Sequence, residues 1–184
     1  MDAWVWIVIA AVVVLVALAL WWAMRESRSR RLQQRFGPEY DRTVAGSNRS
    51  QAEADLRARQ ERVEELDLRP LSRPDHDRFA AEWTKVQAEF VDHPVEAVAG
   101  ADRLIQDVME RRGYPVADFD RRAADLSVEH PNVVENYRSA HSIAVKETRS
   151  DGDADTDALR KAMIRYRSLF DELLIVDDGG DRRN

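Results

Sequence analysis

The sequence predicts an all-α protein in which an N-terminal transmembrane helix is followed by a multi-helix soluble bundle. Residues 3–24 form an uninterrupted apolar run without one charged side chain. Beyond this run, apolar residues recur at intervals of three and four, which is the spacing of one face of an α-helix. No stretch alternates apolar and polar residues for long enough to indicate a strand. These three observations together predict the fold class.

The apolar run has the length and the borders of a transmembrane helix. Its twenty-two residues rise by about 1.5 Å each and therefore extend roughly 33 Å, which exceeds the hydrocarbon core of a bilayer at about 30 Å. Tryptophan is typical of the membrane–water interface, and two tryptophans stand at each end of the run: Trp4, Trp6, Trp21 and Trp22. We therefore predict that residues 1–36 form a membrane anchor with a basic extension on its C-terminal side.

A cleaved signal peptide is the alternative for this N-terminus. Such a peptide begins with basic residues and has an apolar core of about 7–15 residues before a small-residue cleavage site. Only Met1 and Asp2 precede the apolar run, and the segment Ala17–Ala19, which resembles a cleavage site, is followed by further apolar residues. The sequence therefore favours an uncleaved anchor.

Charge predicts the orientation of this anchor. A cluster of basic residues follows the apolar run and is opposed only by Glu26, whereas Asp2 precedes the run. Segments rich in Lys and Arg stay in the cytoplasm, so we expect the N-terminus outside and the C-terminal domain in the cytoplasm. The absence of cysteine agrees with a reducing compartment such as the cytoplasm. The alternative to this orientation is the same bundle facing the cell envelope. Four arginines of the cluster are predicted to set topology and to contact lipid: Arg25, Arg28, Arg30 and Arg31.

The rest of the chain is acidic. Residues 36–184 carry 23 basic and 32 acidic side chains, a net charge of −9. Neutralising the phosphates of a nucleic acid requires a basic surface, so we expect no nucleic-acid partner. The predicted partners are the lipid bilayer and an unidentified protein.

Residues 37–71 are predicted to form a linker and a charged helix. A Gly-Pro pair ends the first helix, and segment 46–50 has the composition of a loop. Ser50 followed by Glu53 matches a capping box, in which two side chains satisfy free amides at a helix N-terminus. This pattern predicts a highly charged helix that continues to about Leu66.

Residues 72–176 are predicted to form the helical bundle, and residues 177–184 a disordered tail. Ser72 and Asp75 match a second capping box at the start of the first bundle helix. Each bundle helix shows one apolar face at helical spacing, and we expect these faces in the core. They comprise Phe79, Trp83, Val86 and Phe90; Val98, Ala101, Ile105, Val108 and Met109; Phe119, Ala123 and Leu126; Val133, Val134, Tyr137, Ala140, His141 and Ala144; and Leu159, Met163, Tyr166, Phe170 and Leu173.

Local signals predict where the bundle helices begin and end. Asp92 is a candidate N-cap, because it precedes a His-Pro pair. Tyr114 and Pro115 are predicted to begin a shorter helix, and Pro131 to be the first residue of the next, since proline suits the first turn. Arg112–Gly113 is predicted to end the helix before Tyr114, because a basic residue followed by glycine is a common C-terminal signal.

Metal-binding and catalytic patterns fail when they are tested against the sequence. The alternating aspartates from Asp151 suggest a calcium loop, but an EF-hand requires Gly at the sixth position and Glu at the twelfth, where Thr156 and Ala162 stand. No histidine has the Glu-x-x-His spacing of a di-iron bundle. No nucleophile elbow, phosphate loop or dinucleotide fingerprint occurs. We therefore predict no metal, no cofactor and no catalytic activity.

A small-ligand sensor or enzyme is the second hypothesis. Its pocket would lie between helices near Tyr114, His130, Tyr137 and His141, which gather around two X-Pro breaks. The simpler interpretation of Tyr137 and His141 is a hydrogen-bonded core pair, because they lie one helical turn apart on an apolar face. A compact pocket with convergent polar groups would favour the second hypothesis, and a filled bundle interior would count against it.

Three strings of this sequence are distinctive: Arg-Phe-Gly-Pro-Glu-Tyr-Asp-Arg at 35–42; Arg-Gly-Tyr-Pro at 112–115 with Asp-Phe at 118–119; and Leu-Ser-Val-Glu-His-Pro at 126–131 with Tyr137, Arg138 and His141. Together they resemble an uncharacterised family of single-span bacterial membrane proteins from high-GC genomes. The resemblance covers roughly residues 30–175. It implies membrane anchoring and supplies neither an activity nor a site. The leading hypothesis is a membrane-anchored helical adaptor, an interaction protein without catalytic activity.

Overall fold

The computed structural model describes residues 3–115, 117–150 and 154–175, without the side chains of residues 3, 5–11, 23, 25 and 28. The predicted all-α class is confirmed for this part of the chain, which contains no strand. The chain divides into two compact units, of which the first is Met1–Arg57 and the second is Ala58–Asn184. The helices are α1 (Ala3–Phe36), α2 (Pro38–Gly46), α3 (Arg49–Glu64), α4 (Arg73–Glu89), α5 (Pro94–Arg111), α6 (Phe119–Glu129), α7 (Val134–Thr148) and α8 (Thr156–Leu173).

In the first unit, α1 is one continuous helix that runs from the apolar stretch to Phe36. Gly37 ends it with a φ of +47°, a left-handed conformation that glycine adopts without steric cost, and its amide donates to the carbonyl of Gln33 at 2.9 Å. Pro38 then occupies the first turn of α2, where no amide hydrogen is needed. The predicted end of the first helix is confirmed.

Among the residues that the structure describes, no helix is both long enough and apolar enough to cross a membrane. The N-terminal segment from Ala3 is helical in the structure. Its crossing of a membrane stays a prediction.

The predicted capping box at Ser50 and Glu53 is wrong. α3 begins earlier, at Arg49, because the side-chain oxygen of Asn48 accepts a hydrogen bond from the amide of Gln51 at 2.9 Å. Asn48 therefore provides the cap, which leaves the carboxylate of Glu53 available for another contact.

Glu53 belongs to a buried hydrogen-bond network within the first unit. One oxygen of its carboxylate, Oε1, accepts from Ser29 Oγ at 2.5 Å, Tyr40 OH at 3.0 Å and Arg49 Nε at 3.0 Å. Burial raises the pKa of Glu53, but the hydrogen bonds from Ser29, Arg49 and Tyr40 outweigh this effect and leave the pKa below its ordinary value. The network joins residues of α1, α2 and α3, so it fixes these three helices to one another.

In the second unit, α5 and α7 each pack against several other helices. α5 contacts α4, α7 and α8, and α7 contacts α5, α6 and α8. The predicted core position of the α4 face is confirmed, because Phe79 and Trp83 are fully buried and Val86 and Phe90 pack partly buried against the same core. The tryptophan ring stacks on Phe170 of α8 with 4.5 Å between ring centroids.

Two predicted helix ends are confirmed. Ser72 caps α4, since its side chain accepts from the amide of Asp75 at 3.2 Å. At the end of α5, Gly113 donates to Glu110 at 3.0 Å and Tyr114 donates to Met109 at 3.0 Å. This pair of bonds is the Schellman motif, which requires a left-handed residue after the helix, and Gly113 supplies it with a φ of +99°.

Two predicted N-termini in the middle of the bundle are wrong. His93, not Asp92, is the residue before α5, because Pro94 directly follows it and takes the first turn. The helix predicted at Tyr114 and Pro115 begins only at Phe119, after Asp118, whose carboxylate accepts from the amide of Arg121 at 2.9 Å. Tyr114 instead completes the Schellman motif.

A third predicted N-terminus is also wrong. α7 begins at Val134 rather than at Pro131. Pro131 lies in a turn, in which the amides of Val133 and Val134 both donate to the carbonyl of His130 at 3.2 Å. Asp151, Asp153 and the predicted tail at 177–184 lie outside the described residues.

Candidate functional site

A cavity of about 420 Å³ lies in the second unit, where the C-terminal ends of α5, α6 and α8 meet. We call it the end pocket. Its volume is within the range of small-molecule sites, which measure about 300–1,000 Å³. The lining residues are Leu68, Arg69, Pro70, Arg112, Tyr114, Glu129, His130, Glu172 and Ile175.

Backbone geometry at the end of α5 shapes one wall of the end pocket. The amide of Arg69 donates to the carbonyl of Arg112 at 2.9 Å, which holds the segment before α4 against the end of α5. This approach is close, because a Cβ atom on Gly113 would lie 2.5 Å from the carbonyl oxygen of Asp67. The glycine thus allows the contact and places Tyr114 beside the cavity.

Three polar atoms around the end pocket are buried and have no hydrogen-bond partner among the described residues. They are Arg112 Nε, Tyr114 OH and His130 Nε2. Other atoms of these side chains are bonded, since Arg112 Nη1 donates to the carbonyl of Leu173 at 3.1 Å and His130 Nδ1 lies 3.3 Å from Glu172 Oε1. Buried polar atoms are nearly always paired in folded proteins. Three unpaired atoms around one cavity therefore identify it as the candidate functional site.

Burial controls ionisation at this site. It raises the pKa of Tyr114 to about 12. It also lowers the pKa of His130, an effect that the hydrogen bond to Glu172 opposes and the charge of Arg112 reinforces. Both side chains are therefore held in their neutral forms near pH 7. Perturbed pKa values within a cavity are typical of functional sites, although buried structural groups also show them.

The four residues of the predicted ligand pocket do not lie together. Tyr114 and His130 line the end pocket, whereas Tyr137 and His141 do not. Tyr137 and His141 belong instead to a polar cluster within the bundle, together with Asp102, Arg122 and Tyr166. We call these five residues the interior cluster.

Arg122 organises the interior cluster. Its Nε donates to the hydroxyl oxygen of Tyr137 at 3.1 Å, and its Nη2 lies 4.0 Å from Asp102 Oδ2. The ring of His141 stacks on Phe119 with 3.7 Å between centroids, and its Nδ1 lies 4.0 Å from Asp102 Oδ1. The predicted hydrogen-bonded pair of Tyr137 and His141 is wrong, because the Tyr137 hydroxyl accepts from Arg122 and the His141 ring stacks on Phe119, so the two side chains do not bond to each other.

The interior cluster also contains unpaired atoms. Asp102 Oδ2 accepts from Gln106 Nε2 at 2.6 Å, but Asp102 Oδ1 and Tyr166 OH have no partner within hydrogen-bonding geometry among the described residues. Burial, and then the negative charge of Asp102, raises the pKa of Tyr166 and likewise that of Tyr137. Both phenols are fully buried. Because the five residues come from α5, α6, α7 and α8, the cluster connects these four helices through the core.

The predicted anchor and topology residues lie on α1. The described tryptophans Trp4, Trp21 and Trp22 are exposed. Arg31 is exposed, and Arg30 Nε lies 3.3 Å from Glu26 Oε1. The remaining predicted side chains lie outside the described residues: Trp6, Arg25 and Arg28.

Sequence reasoning did not single out two residues that define the end pocket. The sequence indicates Arg112 only as part of a helix end, and no signal in the sequence marks Glu172. The guanidinium of Arg112 contacts the carbonyl of Leu173, 61 positions away along the chain. Helical periodicity shows which face of a helix is buried, but it does not show which helix ends meet.

No known protein family, no curated protein and no solved structure matches this chain. The resemblance to single-span bacterial membrane proteins therefore stays a prediction. Among the described residues, no group of three or more His, Asp or Glu side chains is arranged to hold a metal ion.

Proposed function

We propose that the protein is a single-span membrane protein whose helical bundle acts in the cytoplasm as a non-catalytic interaction module. The observation that carries this proposal is the exposure of α1. Residues 12–22 are all exposed, and the large apolar side chains among them retain 52–68% of their accessible surface. Eleven consecutive residues make about three turns, so apolar side chains are exposed on every side of this helix.

A helix that is apolar on all sides requires an apolar environment on all sides. A protein partner covers one face, whereas lipid covers the whole circumference. The spanning proposal extends this exposed stretch to the full uncharged run of residues 3–24 in the sequence. The arginines that follow the run support a cytoplasmic bundle through the positive-inside rule.

The interaction role is supported by charge. The chain after the basic cluster is strongly acidic, and the cytoplasmic leaflet of a membrane is negatively charged. Repulsion between them disfavours adsorption of the bundle to lipid and leaves its surface accessible to cytoplasmic proteins.

Reversing the charge of Arg25, Arg28, Arg30 and Arg31 to glutamate is expected to invert or scramble insertion, because it removes the basic excess on the C-terminal side of the span. The measurement uses two C-terminal fusions, one to alkaline phosphatase, which is active outside the cytoplasm, and one to green fluorescent protein, which is fluorescent inside. The wild-type chain is expected to be fluorescent and the variant to gain phosphatase activity.

A matched control reverses the charge of four exposed arginines far from the apolar run: Arg57, Arg103, Arg149 and Arg160. Topology follows charges within about 15–20 residues of a span, so this control is expected to keep the wild-type orientation. A first variant that also keeps the wild-type orientation would contradict the charge argument.

A second candidate function is the binding of a small ligand by the bundle. The observation that favours it is the end pocket, where Arg112 Nε, Tyr114 OH and His130 Nε2 are buried without partners. The two functions are compatible, because a ligand in this pocket would contact the ends of three helices and could change the surface that a protein partner recognises.

A further inference from the structure

We propose that the end pocket binds a small organic molecule through its carboxyl group. This inference rests on the second candidate function and specifies its ligand chemistry. The three unpaired atoms come from different positions in the fold, since Arg112 and Tyr114 follow α5 and His130 follows α6. A ligand group that bonds to all three must present several hydrogen-bonding atoms.

The hydrogen-bonding capacity of the three atoms indicates the ligand group. Arg112 Nε only donates, and the hydroxyl of Tyr114 donates or accepts. The Nδ1 atom of His130 faces a carboxylate oxygen of Glu172 at 3.3 Å, and because a carboxylate only accepts, Nδ1 carries the proton and Nε2 has the lone pair. The pocket therefore offers two donors and one proton acceptor.

A carboxyl group complements this set. Its two oxygens accept hydrogen bonds from Arg112 Nε and Tyr114 OH, and its hydroxyl group donates a hydrogen bond to His130 Nε2. The same arrangement results when a carboxylate binds and His130 takes up a proton from solution. Hydrogen bonds of this charge-assisted kind are shorter and stronger than neutral ones. An ammonium group would instead place donors opposite the Nε–H of Arg112, which cannot accept.

The formal charges around the end pocket do not oppose the binding of a carboxyl group. Arg69 and Arg112 balance Glu129 and Glu172. The carboxylate of Glu172 retains 43% of its side-chain surface, and Glu129 is exposed, so water screens both acidic groups. Arg112 Nε is buried, where screening is weaker and its attraction for an anion is greater.

Apolar side chains provide contacts for the body of such a ligand. Leu68, Pro70 and Ile175 line the cavity together with the ring of Tyr114. The volume of about 420 Å³ accommodates a single aromatic ring with a short carboxylate chain. Phenylpropionate has this composition, and phenylethylamine has the same ring with an amine in place of the carboxylate.

Binding of a carboxylate is expected to be coupled to proton uptake by His130. The charged groups that face this imidazole are Arg112, Glu129 and Glu172, and Arg69 and Tyr114 line the same cavity. Burial keeps the pKa of His130 low in the free protein, and a bound anion raises it. Because the complex then holds more protons than the free protein, affinity is expected to increase as the pH falls through the raised pKa of the complex towards the lowered pKa of the free protein.

The test is isothermal titration calorimetry of the full chain in detergent micelles with phenylpropionate and phenylethylamine. Phenylpropionate is expected to bind with uptake of protons, which is measured by repeating the titration in buffers of different ionisation enthalpy. Tyr114→Phe is expected to weaken this binding roughly tenfold to a hundredfold, since it removes one hydrogen bond to a charged group.

Tyr114→Phe is expected to preserve the fold, because the deleted hydroxyl has no hydrogen-bond partner among the described residues and its removal leaves no other group unpaired. Tyr166→Phe is the matched control. It deletes another buried, unpaired hydroxyl that does not line the end pocket, and it is expected to leave the affinity unchanged. Circular dichroism melting curves of both variants verify that they fold.

Each alternative result has a defined consequence. If phenylethylamine binds and phenylpropionate does not, the carboxyl assignment is wrong while the end pocket still binds a ligand. If phenylpropionate binds equally well to Tyr114→Phe and to the wild type, its site is elsewhere and the proposal is overturned. If neither compound binds, the carboxyl proposal and the second candidate function both fail, and the proposed membrane anchor is unaffected.

Discussion

Replacing Trp83 by alanine is expected to lower the free energy of unfolding by about 3–5 kcal/mol, the usual cost of truncating a buried tryptophan or phenylalanine. Trp83 has no accessible surface, and its ring stacks on Phe170 with an interplanar angle of 25°. The substitution therefore leaves a cavity between α4 and α8. Single domains have only about 5–15 kcal/mol of stability in total, so this loss is a large fraction of it. Urea denaturation followed by circular dichroism measures it.

Trp83→Phe is the control for this experiment. Phenylalanine keeps an aromatic ring against Phe170 and removes the indole nitrogen, which is buried without a hydrogen-bond partner among the described residues. We expect this variant to lose much less stability than Trp83→Ala, because the cavity is smaller and no polar atom remains unpaired. Equal losses of unfolding free energy in the two variants would contradict the prediction that the packing of the Trp83 ring stabilises the bundle.

Substituting Gly113 by alanine is expected to destabilise the second unit by the next largest amount. Non-glycine residues in a sparsely populated backbone region cost about 1–3 kcal/mol, and Gly113 has a φ of +99°. The new Cβ atom would also lie 2.5 Å from the carbonyl oxygen of Asp67, which is backbone and cannot rotate away. The overlap displaces this segment and weakens the bond from the amide of Arg69 to Arg112.

Hydrogen exchange measures this effect locally, because the amide of Arg69 is expected to exchange faster in Gly113→Ala than in the wild type. Gly46→Ala is the matched control. A Cβ atom on Gly46 would meet no neighbouring atom within 4 Å, and its φ is not left-handed, so this substitution is expected to change stability by no more than about 0.5 kcal/mol. Similar stability in both variants would contradict the close approach at Gly113.

The sequence predicted those helix ends at which the deciding groups lie a few positions apart. Ser72 bonds to an amide three residues ahead, and the Schellman motif at Gly113 spans Met109 to Tyr114. Such signals are contained in a short string of residues. The end at Phe36 was predictable for the same reason, since glycine and proline act on their immediate neighbours.

The errors arose where two local signals competed or where a tertiary contact involved the expected side chain. Pro115 and Pro131 both suit the first turn of a helix. However, Asp118 caps α6, which therefore begins later than Pro115, and a turn follows His130, so α7 begins later than Pro131. Glu53 has the spacing of a capping box, yet its carboxylate bonds to Ser29 of α1 and Tyr40 of α2. Tertiary contacts of this kind are not encoded in local spacing.

The candidate site was half predictable. Tyr114 and His130 are polar residues beside X-Pro breaks in the sequence, and both line the end pocket. Tyr137 and His141 lie near them in the sequence, whereas in the fold they contact Arg122 and Phe119. Separating the two sets requires knowledge of which helices are neighbours, and that information comes from packing.

We propose that an N-terminal span holds the acidic bundle on the cytoplasmic side of a membrane. The most direct test is protease accessibility of the C-terminal domain in intact bacterial spheroplasts and in inverted membrane vesicles. We expect the domain to be protected in spheroplasts, digested in inverted vesicles, and retained in the membrane pellet after alkaline extraction. Digestion in spheroplasts would place the bundle in the cell envelope, and release by alkaline extraction would contradict the membrane span itself.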